Sequence, residues 1–165
     1  MALIGETGYT YAEDIELWGR APEGWIHHRI TDIAIDANDE VYVLIRGEPW
    51  VMVFNSDGEL LRTWGDGMFT VPHGITAAPE GSIYTADAKD NRVTIFDMDG
   101  NVKSKLGEHL PWKAEGQIHF PHGMAVDSGR NIYLPGPPNG GAAGNDVLDD
   151  LVVTEFVLQR MVRRD

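Results

Sequence analysis

Pro72-His73-Gly74-Ile75-Thr76-Ala77-Ala78 and Pro121-His122-Gly123-Met124-Ala125-Val126-Asp127 are two copies of one pattern, and Ile30-Thr31-Asp32-Ile33-Ala34-Ile35-Asp36 is an earlier third. Each copy is followed by a short turn and then by Val41-Tyr42, Ile83-Tyr84 or Ile132-Tyr133. The two earlier units continue into Val51-Met52-Val53-Phe54 and Arg92-Val93-Thr94-Ile95-Phe96, and then into the turns Asn55-Ser56-Asp57-Gly58 and Asp97-Met98-Asp99-Gly100. Each closes on an outer strand that ends in Trp64-Gly65 or Leu106-Gly107, and the same ending stands earlier at Trp18-Gly19. A period of roughly 40–50 residues carrying four strands is the signature of propeller blades.

Alternation inside the strands agrees with that reading. Val93 and Ile95 fall on one face and Thr94 and Phe96 on the other, as expected where both faces of a blade pack against neighbours. The Asp-Gly turns suit hairpins because glycine takes positive φ without steric cost. The expected fold is all-β, a propeller fragment of two full four-stranded blades plus partial blades. Residues 9–19 read as the last strand of a preceding blade, 30–65 and 72–107 as whole blades, and 121–134 as the two inner strands of another. Residues 1–134 therefore form the partial propeller and 135–145, rich in glycine and proline, a linker. For the tail, 146–165, a helix is slightly favoured, with Asn145 as N-cap and Arg160, Arg163 and Arg164 in the last turn. Val152-Val153-Thr154-Glu155-Phe156-Val157-Leu158 also reads as a strand.

A propeller closes with about four to eight blades, so these units leave an open ring. Three explanations stand: a truncated product, a fragment that joins another molecule, or a homodimer. In the last, residues 152–158 add a strand and two chains make six four-stranded blades, the N-terminal strand of one completing the last blade of the other.

Composition narrows the function classes. The chain of 165 residues is 42% hydrophobic, with Gly 19 and Pro 9, which suits a turn-rich globular fold. Its formal net charge of -13 repels phosphate backbones and anionic lipid, so neither nucleic acid nor membrane is expected as a partner. The absence of cysteine excludes disulfides, thiolate metal sites and a cysteine nucleophile. No run approaches the roughly 20 apolar residues of a membrane helix, and Met1-Ala2-Leu3-Ile4-Gly5 lacks a basic leader, so a cytoplasmic location is expected, or a secreted one with the leader absent.

The repeat resembles the NHL type. Within it, Arg46-Gly47-Glu48, Val53-Phe54-Asn55-Ser56-Asp57-Gly58, Leu61-Arg62-Thr63-Trp64-Gly65 and Pro72-His73-Gly74-Ile75 follow one another closely. That succession is similar to the first blades of bacterial peptidyl-α-hydroxyglycine α-amidating lyase-like proteins, over about residues 10–134. The resemblance implies lyase chemistry: cleavage of the N–Cα bond of a C-terminal α-hydroxyglycine, giving a peptide amide and glyoxylate. It also implies zinc held by histidines in the central channel, calcium deeper in it, and a small peptide or small-molecule ligand bound there. Carried over by position, Arg46 is the catalytic arginine, His73 the first zinc ligand, and the Ile75 carbonyl faces calcium. His122 occupies the equivalent place one repeat on. The chain departs from the family where a tyrosine-bearing loop should follow Tyr133, since Pro135-Gly136-Pro137-Pro138 stands there, and the later blades with the remaining histidines are missing. A single chain is therefore not expected to be a competent lyase.

Each of these residues has a simpler reading. Pro-His-Gly serves as a turn-and-strand signature in which the histidine hydrogen-bonds to a neighbouring blade, and Thr31 at the matching place shows that no ligand is required there. Arg46 suits an inter-strand ion pair with Glu48 as well as a grip on a carboxylate. His27, His28 and His119 lie in rim loops, and Asp87, Asp90, Asp97 and Asp99 follow the turns of a blade rather than the register of a calcium loop. The rival to a lyase is a non-catalytic propeller scaffold that binds proteins or ligands.

Overall fold

A computed structural model describes residues 28–107, 118, 120–136 and 157–164, with short stretches at 3–4, 8–9, 11–12, 18–19 and 22–24. The described residues are all β. Strands β1 (Leu3–Ile4) and β2 (Tyr11–Ala12) pair with each other as a two-stranded sheet. The first blade is β3 (Arg29–Ile35), β4 (Val41–Arg46), β5 (Val51–Phe54) and β6 (Leu60–Trp64), antiparallel in sequence order. The second repeats it with β7 (Pro72–Ala78), β8 (Ser82–Asp87), β9 (Arg92–Phe96) and β10 (Val102–Leu106). A third sheet holds β11 (Ala125–Val126), β12 (Ile132–Gly136) and β13 (Val157–Met161).

Burial follows from the two-residue period of strands. Every residue from Val41 to Ile45 is buried, because β4 is covered on both faces. Tyr42 and Leu44 point into a core shared with Ile75, Ile83 and Phe96 of the second blade, whereas Val41, Val43 and Ile45 join Met52 and Phe54 on the opposite face. The second blade divides likewise: Tyr84 and Val93 face Ile132 and Leu134 of the third sheet.

The turns carry a repeated device. Asp36 Oδ1 accepts the amides of Asn38 and Glu40, and Asn55 Oδ1 those of Asp57 and Glu59. Asp97 Oδ1 accepts Asp99 and Asn101, and Asp127 Oδ1 accepts Asn131. The short acceptor side chain thus satisfies turn amides that no strand reaches. Gly58 and Gly100 close two of these turns at φ 81° and 87°. Their missing side chains have a second use. A Cβ on Gly58 would meet the Trp18 ring at 2.9 Å, and one on Gly100 would meet Trp64 Cγ at 2.5 Å. The tryptophan ending one unit therefore lies over the turn glycine of the next. Trp18 Nε1 also donates to the Ser56 carbonyl at 2.8 Å, which puts Trp18 at the first blade where Trp64 stands at the second.

Two expectations change. The C-terminal part is a strand: β13 pairs with β12 from Ile132↔Met161 to Gly136↔Val157. The helical signals were local, whereas the exposed edge of β12 offers a row of unpaired backbone groups that Val157–Met161 can satisfy, and tertiary pairing overrides weak propensity. β12 also runs two residues into the stretch read as a linker. Near the N-terminus, β2 pairs with β1, as β6 and β10 pair with the strands before them. Residues 137–156, including most of that linker, lie outside the described residues.

Candidate functional site

The inner strands bring the two Pro-His-Gly motifs together. Pairing of β7 with β8 skips a residue between Pro72 and Gly74, so His73 sits in a β-bulge, as Thr31 does between Ile30 and Asp32 in β3. A bulge takes its residue out of the ladder and re-aims its side chain. Glycine follows because the next strand is close: a Cβ on Gly74 would lie 3.3 Å from Gly123 Cα. His122, just before β11, is anchored by its own amide, which donates to the Pro135 carbonyl at 3.2 Å. The outcome is a pair of imidazoles with ring centroids 4.3 Å apart and a Phe120 ring 5.2 Å from His122.

Arg46 reaches this pair from the first blade. It ends β4, and its Nη2 lies 3.2 Å from His73 Nδ1 and also against Nε2. A guanidinium only donates, so the facing imidazole nitrogen accepts and the ring is neutral. Burial lowers the His73 pKa below its ordinary 6.5, helped by His122 and Arg46 nearby. Arg46 forms no ion pair with Glu48 among the described residues, and its buried Nε has no hydrogen-bond partner there. His28 packs against Gly47, so that a Cβ at Gly47 would fall within 2.3 Å of its ring. His27 and His119 lie outside the described residues.

Ile75 belongs to the same strand. Its amide donates to Asp32 Oδ2 of the first blade at 2.9 Å, so it points away from β8. The N–H and C=O of one strand residue share a side, so the Ile75 carbonyl points the same way. The four aspartates split as turn residues do: Asp87 accepts the Thr70 and Val71 amides, while Asp97 caps its own turn.

The donor set answers part of what bound metals would need. Two adjacent imidazoles, at least one of them neutral, fit the ligand preference of zinc, which ordinarily takes four ligands. Among the described residues no group of three histidines or carboxylates converges. Ile75 O and Asp32 are oxygen donors suited to calcium, which takes six to eight.

One feature was legible in the sequence only as two separate facts. Arg46 and His73 are both visible as motif residues, but their contact across two blades depends on the bulge at residue 73, which no local pattern announces.

The comparisons with known proteins agree with this architecture. Residues 69–96 match the NHL repeat family model. The chain is 36% identical over 62 residues to the protein brain tumor of Drosophila melanogaster, and 36% identical over 56 residues to the B-box type zinc finger protein ncl-1 of Caenorhabditis elegans. Those alignments span 36% and 34% of this chain but only 6% and 7% of the relatives. Among solved structures, a catalytically inactive virginiamycin B lyase from Staphylococcus aureus bound to quinupristin superposes with TM-score 0.53 at 19% identity, over 67% of this chain and 36% of that one. A gluconolactonase from Xanthomonas campestris gives TM-score 0.53 at 15% identity, over 81% and 44%. These are six-bladed propellers, and the likeness is one of fold. The chain carries an NHL repeat and a propeller-like sheet arrangement. The likenesses do not single out the amidating-lyase family.

Proposed function

We propose that Arg46, His73 and His122 are part of a lyase-like ligand site on the wall of a propeller channel, incomplete in this chain alone. The observation that carries the reading is the meeting of two histidines from successive repeats with an arginine from β4 of the first blade. Arg46 presents a planar guanidinium fork that suits the carboxylate of a peptide C-terminus. His73 is kept neutral, and its accepting nitrogen becomes able to coordinate a metal or take a proton once Arg46 turns from it to a substrate carboxylate. Zinc bound there would act as a Lewis acid toward a substrate hydroxyl. Cleavage of a C-terminal α-hydroxyglycine needs further groups, so the isolated chain should bind but not turn over.

The test is elemental analysis after zinc loading, with glyoxylate release measured on an α-hydroxyglycine peptide. Zinc retained by the chain and lost in both His73→Ala and His122→Ala supports the site. Equal retention in the variants, or none at all, defeats it.

A scaffold reading has its own support. Arg46 already engages the His73 ring, as a purely structural contact would. The outer face of the first blade exposes Ile33 and Ile35 at 52% and 60%, a surface suited to a further blade, including one from a second copy. Sedimentation velocity decides whether two chains combine: a monomer at micromolar concentration removes the homodimer.

A further inference from the structure

The wedge between the second and third sheets is open where its counterpart between the first and second is filled. In the first wedge, Trp64 packs 4.9 Å from Phe96, and Arg62 Nη2 donates to Glu40 Oε2 at 2.6 Å and to the Tyr42 hydroxyl at 2.9 Å. Strand registers give the equivalent positions one blade on. Val53 pairs with Arg62 and Ile95 with Ser104; Val51 pairs with Trp64 and Val93 with Leu106. Val41 pairs with Phe54, Ile83 with Phe96 and Ile132 with Met161. The large side chains Arg62, Trp64 and Phe96 are thus replaced by Ser104, Leu106 and Met161, and Glu40 by Ser82. The volume they vacate is a groove of about 590 Å³.

The groove has two chemical zones. Ile95, Leu106, Ile132, Met161 and Val162 form an apolar floor. Lys103, Arg130, Arg163 and Arg164 line its polar side, together with the hydroxyls of Ser82, Tyr84 and Ser104. Four of the chain's 13 basic residues therefore gather in one place on a protein of net charge -13. In the first wedge a carboxylate answers the cation. In the second, the one hydrogen-bond partner of Lys103 Nζ among the described residues is the neutral Ser82 Oγ, at 2.8 Å. Among the described residues Lys103, Arg130 and Arg164 form no ion pair, and Glu80, the one acid on the lining, accepts the Tyr84 hydroxyl at 3.1 Å. Arg130 is half-buried at the groove's edge, while Arg163 and Arg164 line it from an exposed position.

We infer that this groove binds a small amphiphilic carboxylate, its apolar body against Leu106, Ile132 and Met161 and its anionic head among Lys103, Arg130 and Arg164. The volume falls in the range of small-molecule sites, about 300–1,000 Å³. Charge complementarity selects an anion, and the floor selects one with an alkyl or aromatic body rather than a bare ion. The site is separate from the Arg46–His73–His122 cluster and does not rest on the function proposed for it.

Octanoate is the probe, titrated calorimetrically against the whole chain, with octanamide as its neutral counterpart. The expected result is saturable 1:1 binding of octanoate and at least tenfold weaker binding of octanamide. Lys103→Gln, at an exposed position, should weaken octanoate at least fivefold. Ser104→Arg, which puts back the side chain that fills the first wedge, should abolish binding, and Leu106→Trp should do the same by filling the floor if Ser104→Arg fails to fold. His73→Ala should bind octanoate as the parent does. The inference is overturned by the absence of saturable binding, by equal affinity for octanamide, by folded plug variants that still bind, or by loss of binding in His73→Ala, which would place the ligand in the channel.

Discussion

The two wedges between successive sheets are built on the same strand register and differ in what fills them. Between the first and second blades, Trp64, Phe96 and Phe69 pack together and the Arg62–Glu40–Tyr42 network seals the outer end. Between the second and third, Leu106, Met161 and two serines leave a groove. The difference teaches that a repeat specifies where the wedge lies, through turns and alternation, while individual side chains at its outer positions decide whether it is core or cavity. Stability should be concentrated in the first wedge and capacity for a ligand in the second.

The largest expected effect tests that division directly. Trp64 is 9% exposed and contacts both Phe96 and the Gly100 turn. Trp64→Ala should cost about 3–5 kcal/mol, the usual loss for a large buried aromatic. Leu106, only partly buried beside an open groove, should cost less, about 1–2 kcal/mol as Leu106→Ala, because little packing surrounds it. Urea denaturation of both variants is the check. Equal losses would mean that the second wedge is packed as tightly as the first.

A smaller effect comes from the turn beneath Trp64. Gly100 adopts φ 87° and has no room for a Cβ, so Gly100→Ala should destabilise by about 1–3 kcal/mol. Gly81 has a similar φ of 77° but only Met98 Sδ at 3.4 Å, so Gly81→Ala should carry mainly the backbone strain, about 1 kcal/mol. A thermal melt that ranks Gly81→Ala as the more damaging would break the link between the tryptophan and the turn.

How much of this was readable beforehand follows the same division. The blades were legible because their signals repeat: the tyrosine after each β-branched residue, the turn acceptors Asp36 and Asp127 at one repeat position and Asn55 and Asp97 at another, and the glycine closing each unit at 19, 65 and 107. His73 and His122 were legible as candidates because they occupy one repeat position, although their 4.3 Å approach depends on Gly74 meeting Gly123. Strand β13 was misjudged in favour of a helix, since N-cap and terminal-arginine signals are local and the open edge of β12 is not. The groove was missed for a different reason. Ser104 opposite Arg62 and Leu106 opposite Trp64 are visible in an alignment of the repeats, but a missing side chain becomes a cavity only when no neighbour moves in to replace it.

A change in pH sharpens the comparison with the smallest expected effect. The hydrogen bond from Arg62 holds the Glu40 carboxyl below its ordinary value of 4.5, against a smaller opposing effect of burial. A depressed folded pKa means that the unfolded chain binds the proton more readily. Glu40 therefore stabilises the fold fully above its unfolded pKa, and the contribution is lost as pH falls through the folded value. Both side chains remain about a quarter exposed, so solvent screening limits the pair to roughly 0.5–1 kcal/mol. His73 adds a loss of the same sign at higher pH: its lowered pKa makes the neutral ring the folded form, so stability falls as pH drops below about 6.5. The two contributions separate by variant. His73→Gln should flatten the urea midpoint between pH 7 and 5.5, and Glu40→Gln should flatten it below pH 4.5. Lys103, Arg130 and Arg164 of the second wedge form no ion pair among the described residues, and an undiminished acid slope in Glu40→Gln would show that the sealed wedge is not held by its charges.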